Sequence, residues 1–393
     1  LATHPDLCHS ADPQRVAAAF DALSARLDGS YDARAAWREM ATLNPLLNDA
    51  HLGVRLPDAA FAEARRGGAA AFPAPVRIEG DRLFVGETIR PESVLTPGAE
   101  ISAINDQPAQ DLLATILPRM RGESDGLRAR IASLRFPVAL WAVQGDAPSY
   151  RVTLAGTDEP LTLDAQRDRD ADASAAPFDL GFRGNVAVLE IDTFDIEHLD
   201  AFSTFTAAAF AEISTREPAA LVIDLRDNGG GARDLSNVLM HYLTPERFTP
   251  ISGVTARITA QNQSLVPGSE IGQVIETPFA QWVEPPADLA HRYEGRAVIL
   301  VGPDTYSQAI AFSVTAQDFN IAEIAGSPTD GSANQTGQVQ RVTRENTGLE
   351  AQAPLYVFRR PSGAAGRAPL VPDLLLEGTG EAQLEAVIRL ITP

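Results

Sequence analysis

Ser307 falls where a strand of buried type, Ala297–Gly302 (AVILVG), passes through the turn Pro303–Tyr306 into a helix-like run, Ser307–Phe319. A hydroxyl at such a junction stands at a sheet edge, beside a helix amino end that favours negative charge. The N–H of its neighbour Gln308 would face the same charge. An ordinary N-cap serine would occupy the same position. The second chemical stretch is Ala220–Gly231 (ALVIDLRDNGGG), an apolar strand that runs into three consecutive glycines. Glycines there are costly in backbone entropy. The cost fits a main chain that must approach another group closely or aim its N–H groups at a forming anion; a tight strand-to-helix turn is the plainer alternative. The third is His51 in Leu46–Leu56 (LLNDAHLGVRL), one of six histidines. An imidazole titrates near neutrality and can serve as a general base, or can fill a structural place in a mixed segment. A hydroxyl, an imidazole and main-chain donors are together the parts of nucleophilic acyl transfer.

Composition narrows the field. The chain has 393 residues, 45% hydrophobic and 21% charged, with a formal charge of −20, which is an ordinary globular balance with room for two or three domains. The negative charge argues against nucleic acid or an anionic bilayer as partner, and no apolar run reaches spanning length. All 32 basic residues are arginine, so a Ser–Lys dyad, a lysine Schiff base and a P-loop lysine are excluded. The single cysteine, Cys8, rules out an internal disulfide and cysteine metal clusters. No cofactor or metal is expected. The chain opens on Leu1 without methionine, as a processed exported protein would, and a periplasmic or secreted location is the expectation.

The elements that must position these residues follow in order. Val16, Phe20, Leu23 and Leu27, then Trp37, Met40 and Leu43, recur at helical spacing on either side of the break at Gly29–Tyr31, with Ser10 or Asp12 as cap and Pro13 just inside. Strands are expected at Val76–Ile78, Leu83–Val85, Glu100–Ile104 and Tyr150–Leu154, with helices at Leu113–Arg121 and Leu127–Leu134. Residues 156–177, with Arg167–Asp168–Arg169–Asp170 and Asp172, read as a polar linker or surface loop. Beyond it Asn185–Ile191 is a strand and Asp200–Ile213 a helix, and the glycine stretch and its helix Leu235–Leu243 follow. This alternation favours parallel pairing through crossovers. Residues 250–293, with Trp282 and Pro285–Pro286, look irregular, either a wall beside the site or plain surface.

The strand, the Asp224–Leu225–Arg226 step, Asn228 and the glycine triplet occur together, and as a set they resemble the core signature of the S41 serine peptidases. That family contains the carboxyl-terminal processing peptidases, the tricorn core protease and the interphotoreceptor retinoid-binding proteins. Ser307 with a small residue, Ala309, two positions on is similar to the family's nucleophile turn. Gly326–Ser327–Pro328–Thr329–Asp330–Gly331 resembles its G-x-x-T-x-G element, and Asn346–Thr347–Gly348–Leu349 and Pro372–Asp373 resemble its closing strands. The likeness covers about residues 185–380. Asp49–Ala50–His51 is similar to the D-x-H step of the tricorn-like branch. The Ser–Lys branch has a lysine just beyond G-x-x-T-x-G, where this chain has Ser332, so the resemblance points to the histidine-using branch. That branch supports its histidine with a neighbouring serine and a distant glutamate. Here the neighbour is Ala50 and the glutamate region reads GAAGR, Gly363 to Arg367, which leaves Glu345, Glu350 and Asp330 as open candidates.

The resemblance implies an α/β fold with a crotonase/Clp-protease-like catalytic domain over 178–393. An N-terminal helical region at 1–75 carries His51, and a PDZ-like β-rich module follows at 76–155, with Thr96–Leu113 similar to the end of such a module. It implies a peptide or protein substrate, Ser307 as nucleophile, His51 as base and an oxyanion hole from Gly230, Gly231 and Gln308. Relatives often have proline at the position of Gly229, which leaves its neighbours as donors. A ligand-binding protein on the same scaffold, which holds a peptide or hydrophobic ligand without cutting it, is the alternative, and an esterase using the same serine is a third.

Overall fold

The computed structural model describes residues 4–27, 29–86, 94–164, 177–260 and 262–392. The chain divides into two compact units: Leu1–Asp172 with Gln338–Leu355, and Ala173–Gly337 with Tyr356–Pro393.

The first unit opens with the helix Pro13–Arg26. Its Asp12 cap accepts from the N–H groups of Gln14 and Arg15, which selects Asp12 over Ser10 and satisfies donors that a helix start leaves open. The helix Ala33–Met40 and the short helix Asn44–Leu47 follow. A mostly antiparallel sheet contains Val76–Glu79, Arg82–Val85, Glu100–Ile104, Ser149–Leu154 and Leu161–Asp164 in that order. One hydrophobic core gathers Trp37 from the helical region with Leu83, Ile101, Leu112, Phe136 and Tyr150, so packing runs straight across the boundary expected at residue 75. The last strand corrects the expected linker at 156–177. Leu161 and Leu163 lie on one face, Leu163 is buried, and the segment pairs with Ser149–Val152; two leucines in alternation were enough to zip it onto the sheet. The rest of that stretch, 165–176, lies outside the described residues. The pairing of Gly53–Val54 with Ala351–Gln352 completes the unit.

The second unit is built on a six-stranded sheet in the order Leu374–Leu375, Glu323–Gly326, Arg296–Val301, Ala220–Asp224, Val186–Ile191, Phe178–Arg183. All neighbours are parallel except the last pair. Strands covered on both faces must be apolar at successive positions, and Ala220–Asp224 is buried throughout. Val186, Val188, Ala220, Val222, Val298 and Leu300 share one face with Leu384, Val387 and Ile391 of the C-terminal helix Gly380–Ile391. The alternate residues, Ala187, Leu189, Leu221, Ile223, Ala297 and Ile299, are also buried. The helices Leu199–Arg216, Arg233–Leu243 and Gln308–Asp318 serve as crossovers. The stretch 250–293 is more regular than its sequence suggests: Gly253–Arg257 pairs with Val274–Pro278 on one side and Tyr356–Arg359 on the other. Val274–Pro278 keeps much of its surface in solvent, so no run of buried residues marks it.

Candidate active site

The turn that leads to Ser307 begins where Val301 ends its strand. Gly302 N–H donates to Thr305 Oγ1 at 3.0 Å, and Thr305 Oγ1 donates to Leu225 O at 2.8 Å. Tyr306 N–H donates to Asn228 O at 2.9 Å. The turn after one central strand is thereby laced to the turn after its neighbour. Ser307 follows with φ 51 and ψ −118, and its side chain makes no capping bond to the helix Gln308–Asp318. The N-cap alternative is therefore not realised. A non-glycine residue in this sparsely populated region is strained by about 1–3 kcal/mol, a cost tolerated where geometry serves a function. Gln335, largely buried, donates from Nε2 to Ser307 O at 2.7 Å and so holds the strained peptide from the other side.

The glycine triplet meets this turn directly. A Cβ placed on Gly230 would lie 2.7 Å from Ser307 Cβ and 2.8 Å from Gln308 N, and one on Gly231 would lie 2.2 Å from Phe194 O. Both residues have positive φ, 95 and 145, so two independent constraints require glycine. Gly229 has open space around it and no such angle. Gly230 N–H donates to Asn228 Oδ1 at 2.8 Å, and the missing side chain lets the main chain lie against Ser307. Phe194 N–H donates to Gly230 O and Ala232 N–H donates to Phe194 O. In a bridge of this kind the peptides on either side of Gly231 bond toward Phe194, and the N–H of Gly231 itself points the other way. Gln308, first residue of its helix, has an N–H without an intrahelical acceptor by construction.

Asn228 is the residue whose importance sequence reading understated. It is fully buried, and besides the two bonds above its Nδ2 donates to Ile191 O at 3.0 Å. It locks three loops at the carboxyl ends of adjacent strands, the usual place for a ligand in an open parallel sheet. The Asp224–Arg226 step has a structural job. The arginine makes a bidentate pair with Asp224 and also reaches Gly380 O, which fastens the start of the C-terminal helix. The second glycine motif is explained by close approach as well. A Cβ on Gly326 would fall 2.0 Å from Val301 O, and one on Gly331 would fall 2.8 Å from Tyr306 and Ile310 side-chain atoms. Ser332, at the position of the other branch's lysine, is buried and donates to Ala368 O at 3.2 Å.

His51 belongs to the other unit and has its own framework. Asn48 ends the short helix in a left-handed conformation (φ 51, ψ 44), which turns the chain sharply. Asp49 Oδ1 accepts from His51 N–H at 2.7 Å and lies 3.8 Å from His51 Nδ1. Ala50 N–H donates to Glu123 Oε2 at 3.2 Å, and Ala50 O accepts from Gln352 Nε2 at 3.0 Å and from Arg121. Asn44, buried behind the turn, exchanges two 2.8 Å bonds with the Val54 main chain. Burial pushes the His51 pKa down and Arg121 adds to this, while Asp49 opposes both. The ring is neutral at pH 7, the state a proton acceptor needs. Of the open candidates for a supporting carboxylate, Glu350 is paired with Arg55 at 3.1 Å and Glu345 is exposed. Asp49, two residues from the histidine, is the carboxylate beside Nδ1. The sequence signal for it was present in the D-x-H spacing.

Residues 185–375 match the family model of peptidase family S41. This segment holds the glycine triplet, Ser307 and the G-x-x-T-x-G element. Over this segment the chain is similar to peptidase family S41. Comparison by structure agrees on the fold. The chain is similar to mature CPAF complexed with lactacystin (16% identity, 97% of this chain and 92% of that one, TM-score 0.65). It is likewise similar to the CPAF S499A mutant (16%, 97% and 90%, TM-score 0.65). It also matches the photosystem II D1 C-terminal processing protease (16%, 91% and 86%, TM-score 0.49). Comparison with curated proteins by sequence finds no match. The fold is α/β, and no helix among the described residues is long and apolar enough to cross a membrane.

Proposed function

We propose that this protein is a serine peptidase of the S41 type, which cleaves peptide bonds with Ser307 as nucleophile and His51 as general base. The observation that carries the reading is the Ser307 turn: a strained serine at a helix amino end, not used as a cap, pressed against a glycine main chain that no other residue could supply. His51 Nε2 takes the hydroxyl proton as Ser307 Oγ attacks the carbonyl carbon. Asp49, beside Nδ1, keeps the other ring nitrogen protonated and stabilises the imidazolium that forms. The tetrahedral oxyanion is held by N–H groups of Gly231 and Gln308, donors of a kind worth about 3 kcal/mol each. Collapse breaks the C–N bond, the leaving amine takes the proton from His51, and an acyl ester remains on Ser307. Water, deprotonated by the same imidazole, hydrolyses the ester and restores the hydroxyl. Peptides or proteins are the substrates, in a periplasmic or secreted setting, and the 76–155 sheet with the helix Ala109–Ile116 is read as a PDZ-like module.

Ser307→Ala tests this. Casein or peptide cleavage is expected to fall by at least about 10³-fold, together with loss of fluorophosphonate labelling. Full activity, or labelling of another residue, would remove Ser307 from the mechanism. Ligand retention without cleavage by the wild type would favour the binding alternative.

A further inference from the structure

Arg233 stands two residues beyond the glycine triplet, at the first position of the helix Arg233–Leu243. Its main chain is tied to the nucleophile turn: Ser236 Oγ donates to Arg233 O at 2.8 Å and accepts from Gln308 Nε2 at 2.9 Å. Three residues span at most about 11 Å, and the main chain at Gly230 lies against Ser307, so the arginine stem starts near the reacting centre. The guanidinium is half-buried, and Gln281 Oε1 is the acceptor it reaches. No carboxylate lies within ion-pair distance of it among the described residues; Asp234 acts on it only at longer range. Arg226, Arg360 and Arg55 are ion-paired with Asp224, Asp318 and Glu350, and the part-buried Arg34, Arg38, Arg119 and Arg292 bond main-chain carbonyls, whereas the acceptor of Arg233 is a single side-chain amide oxygen. Burial works against an unpaired charge, and planar guanidinium geometry is matched by a carboxylate.

We infer that Arg233 is a specificity-determining residue that pairs with a carboxylate of the peptide substrate within a few residues of the scissile bond. This rests on Ser307 as the reacting centre. The same cation would accept an acidic side chain or a terminal carboxylate. Gln281 holds the guanidinium in place from the 250–293 stretch, which gives that stretch the role of a wall beside the cleavage site. The overall charge of −20 repels acidic peptides, so any preference for them must come from a local partner.

The test uses the full chain and internally quenched peptides built around a bond it cuts in casein. One pair differs as Asp against Asn at positions flanking that bond, and a second pair as free against amidated C-terminus. For the wild type, kcat/KM is expected to favour the carboxylate member of one pair by at least about tenfold; which pair responds identifies the carboxylate. Arg233→Gln is expected to bring the ratio close to one, and Arg233→Lys, which keeps the charge, to retain part of it. Equal losses on both members of each pair in Arg233→Gln would show a merely structural arginine and overturn the inference, as would a wild-type ratio near one. Anisotropy titration of the same peptides with Ser307→Ala, alone and combined with Arg233→Gln, separates the two readings. A carboxylate preference in binding that vanishes with Arg233 supports the inference even if Ser307 proves not to be the nucleophile. No preference in binding or turnover, with Ser307-dependent cleavage intact, overturns the inference alone.

Discussion

In the proposed mechanism the Ser307 turn and the His51 turn solve the same problem, holding one reactive side chain still, with different materials. Around Ser307 the work is done by main chain. Two glycines pass at contact distance, an amide and a hydroxyl link adjacent strand ends, and a strained φ is held between Asn228 and Gln335. Around His51 it is done by side chains that arrive from far along the sequence: Glu123, Arg121 and Gln352 all bond to Ala50, and Asn44 braces Val54. A forming oxyanion needs fixed dipoles whose reorganisation costs nothing, which favours backbone. A base needs a tuned pKa, which favours charges and burial that side chains supply.

If that contrast is right, the largest effect comes from adding a single methyl group on the main-chain side. Gly231→Ala should lower kcat on the order of 10²–10³-fold, because its Cβ would overlap Phe194 O and its φ of 145 disfavours alanine. A stopped assay with thermal melting checks this, and wild-type kcat in a folded variant would break the comparison. Next, Asp49→Asn should cost about 10²-fold in kcat/KM. Its pH profile sharpens the point. The base is active when neutral, so wild-type activity is present above the His51 pKa and lost as pH falls through it, below the ordinary histidine value of 6.5. Asp49 raises that pKa, so its removal should move the acid limb to still lower pH while the plateau drops. A limb that moves upward would show that Asp49 does not act on this imidazole. The smallest effect is expected at Gly229→Ala, within about 0.5 kcal/mol in stability and near wild-type kcat, since nothing lies within 4 Å of a Cβ there. A large loss would mean that the triplet acts as a unit.

These differences also decide what could be read in advance. The strands Ala220–Asp224 and Arg296–Val301, the helix after each, and the place of Ser307 at a strand-to-helix junction were all legible, because continuous apolar runs and clustered glycines are local signals. The same holds for G-x-x-T-x-G, whose end glycines answer to contacts with Val301 and Tyr306. The strand Leu161–Asp164 hid inside a polar stretch, and Val274–Pro278 hid in a segment without regular burial. Each is a strand only because a partner lies alongside. The boundary at residue 75 disappeared because Trp37 and Leu83 bury into one core, and no run of sequence announces which distant residues will share it.

By itself the sequence excluded lysine chemistry and an internal disulfide, and it placed a hydroxyl and clustered glycines after buried strands; the roles of Ser307 and His51 came from the resemblance to a family. Only the tertiary structure decided which glycine gives way to Ser307 and which aims its N–H elsewhere, that Asn228 binds the strand ends together, that Asp49 is the carboxylate beside the imidazole, and that Arg233 has no acid within ion-pair distance among the described residues. The physical reason is range. Conformational preference and periodicity act over a few residues, whereas the direction of an N–H, the burial of an imidazole and the absence of a counter-charge are set by groups that meet only when the chain has folded.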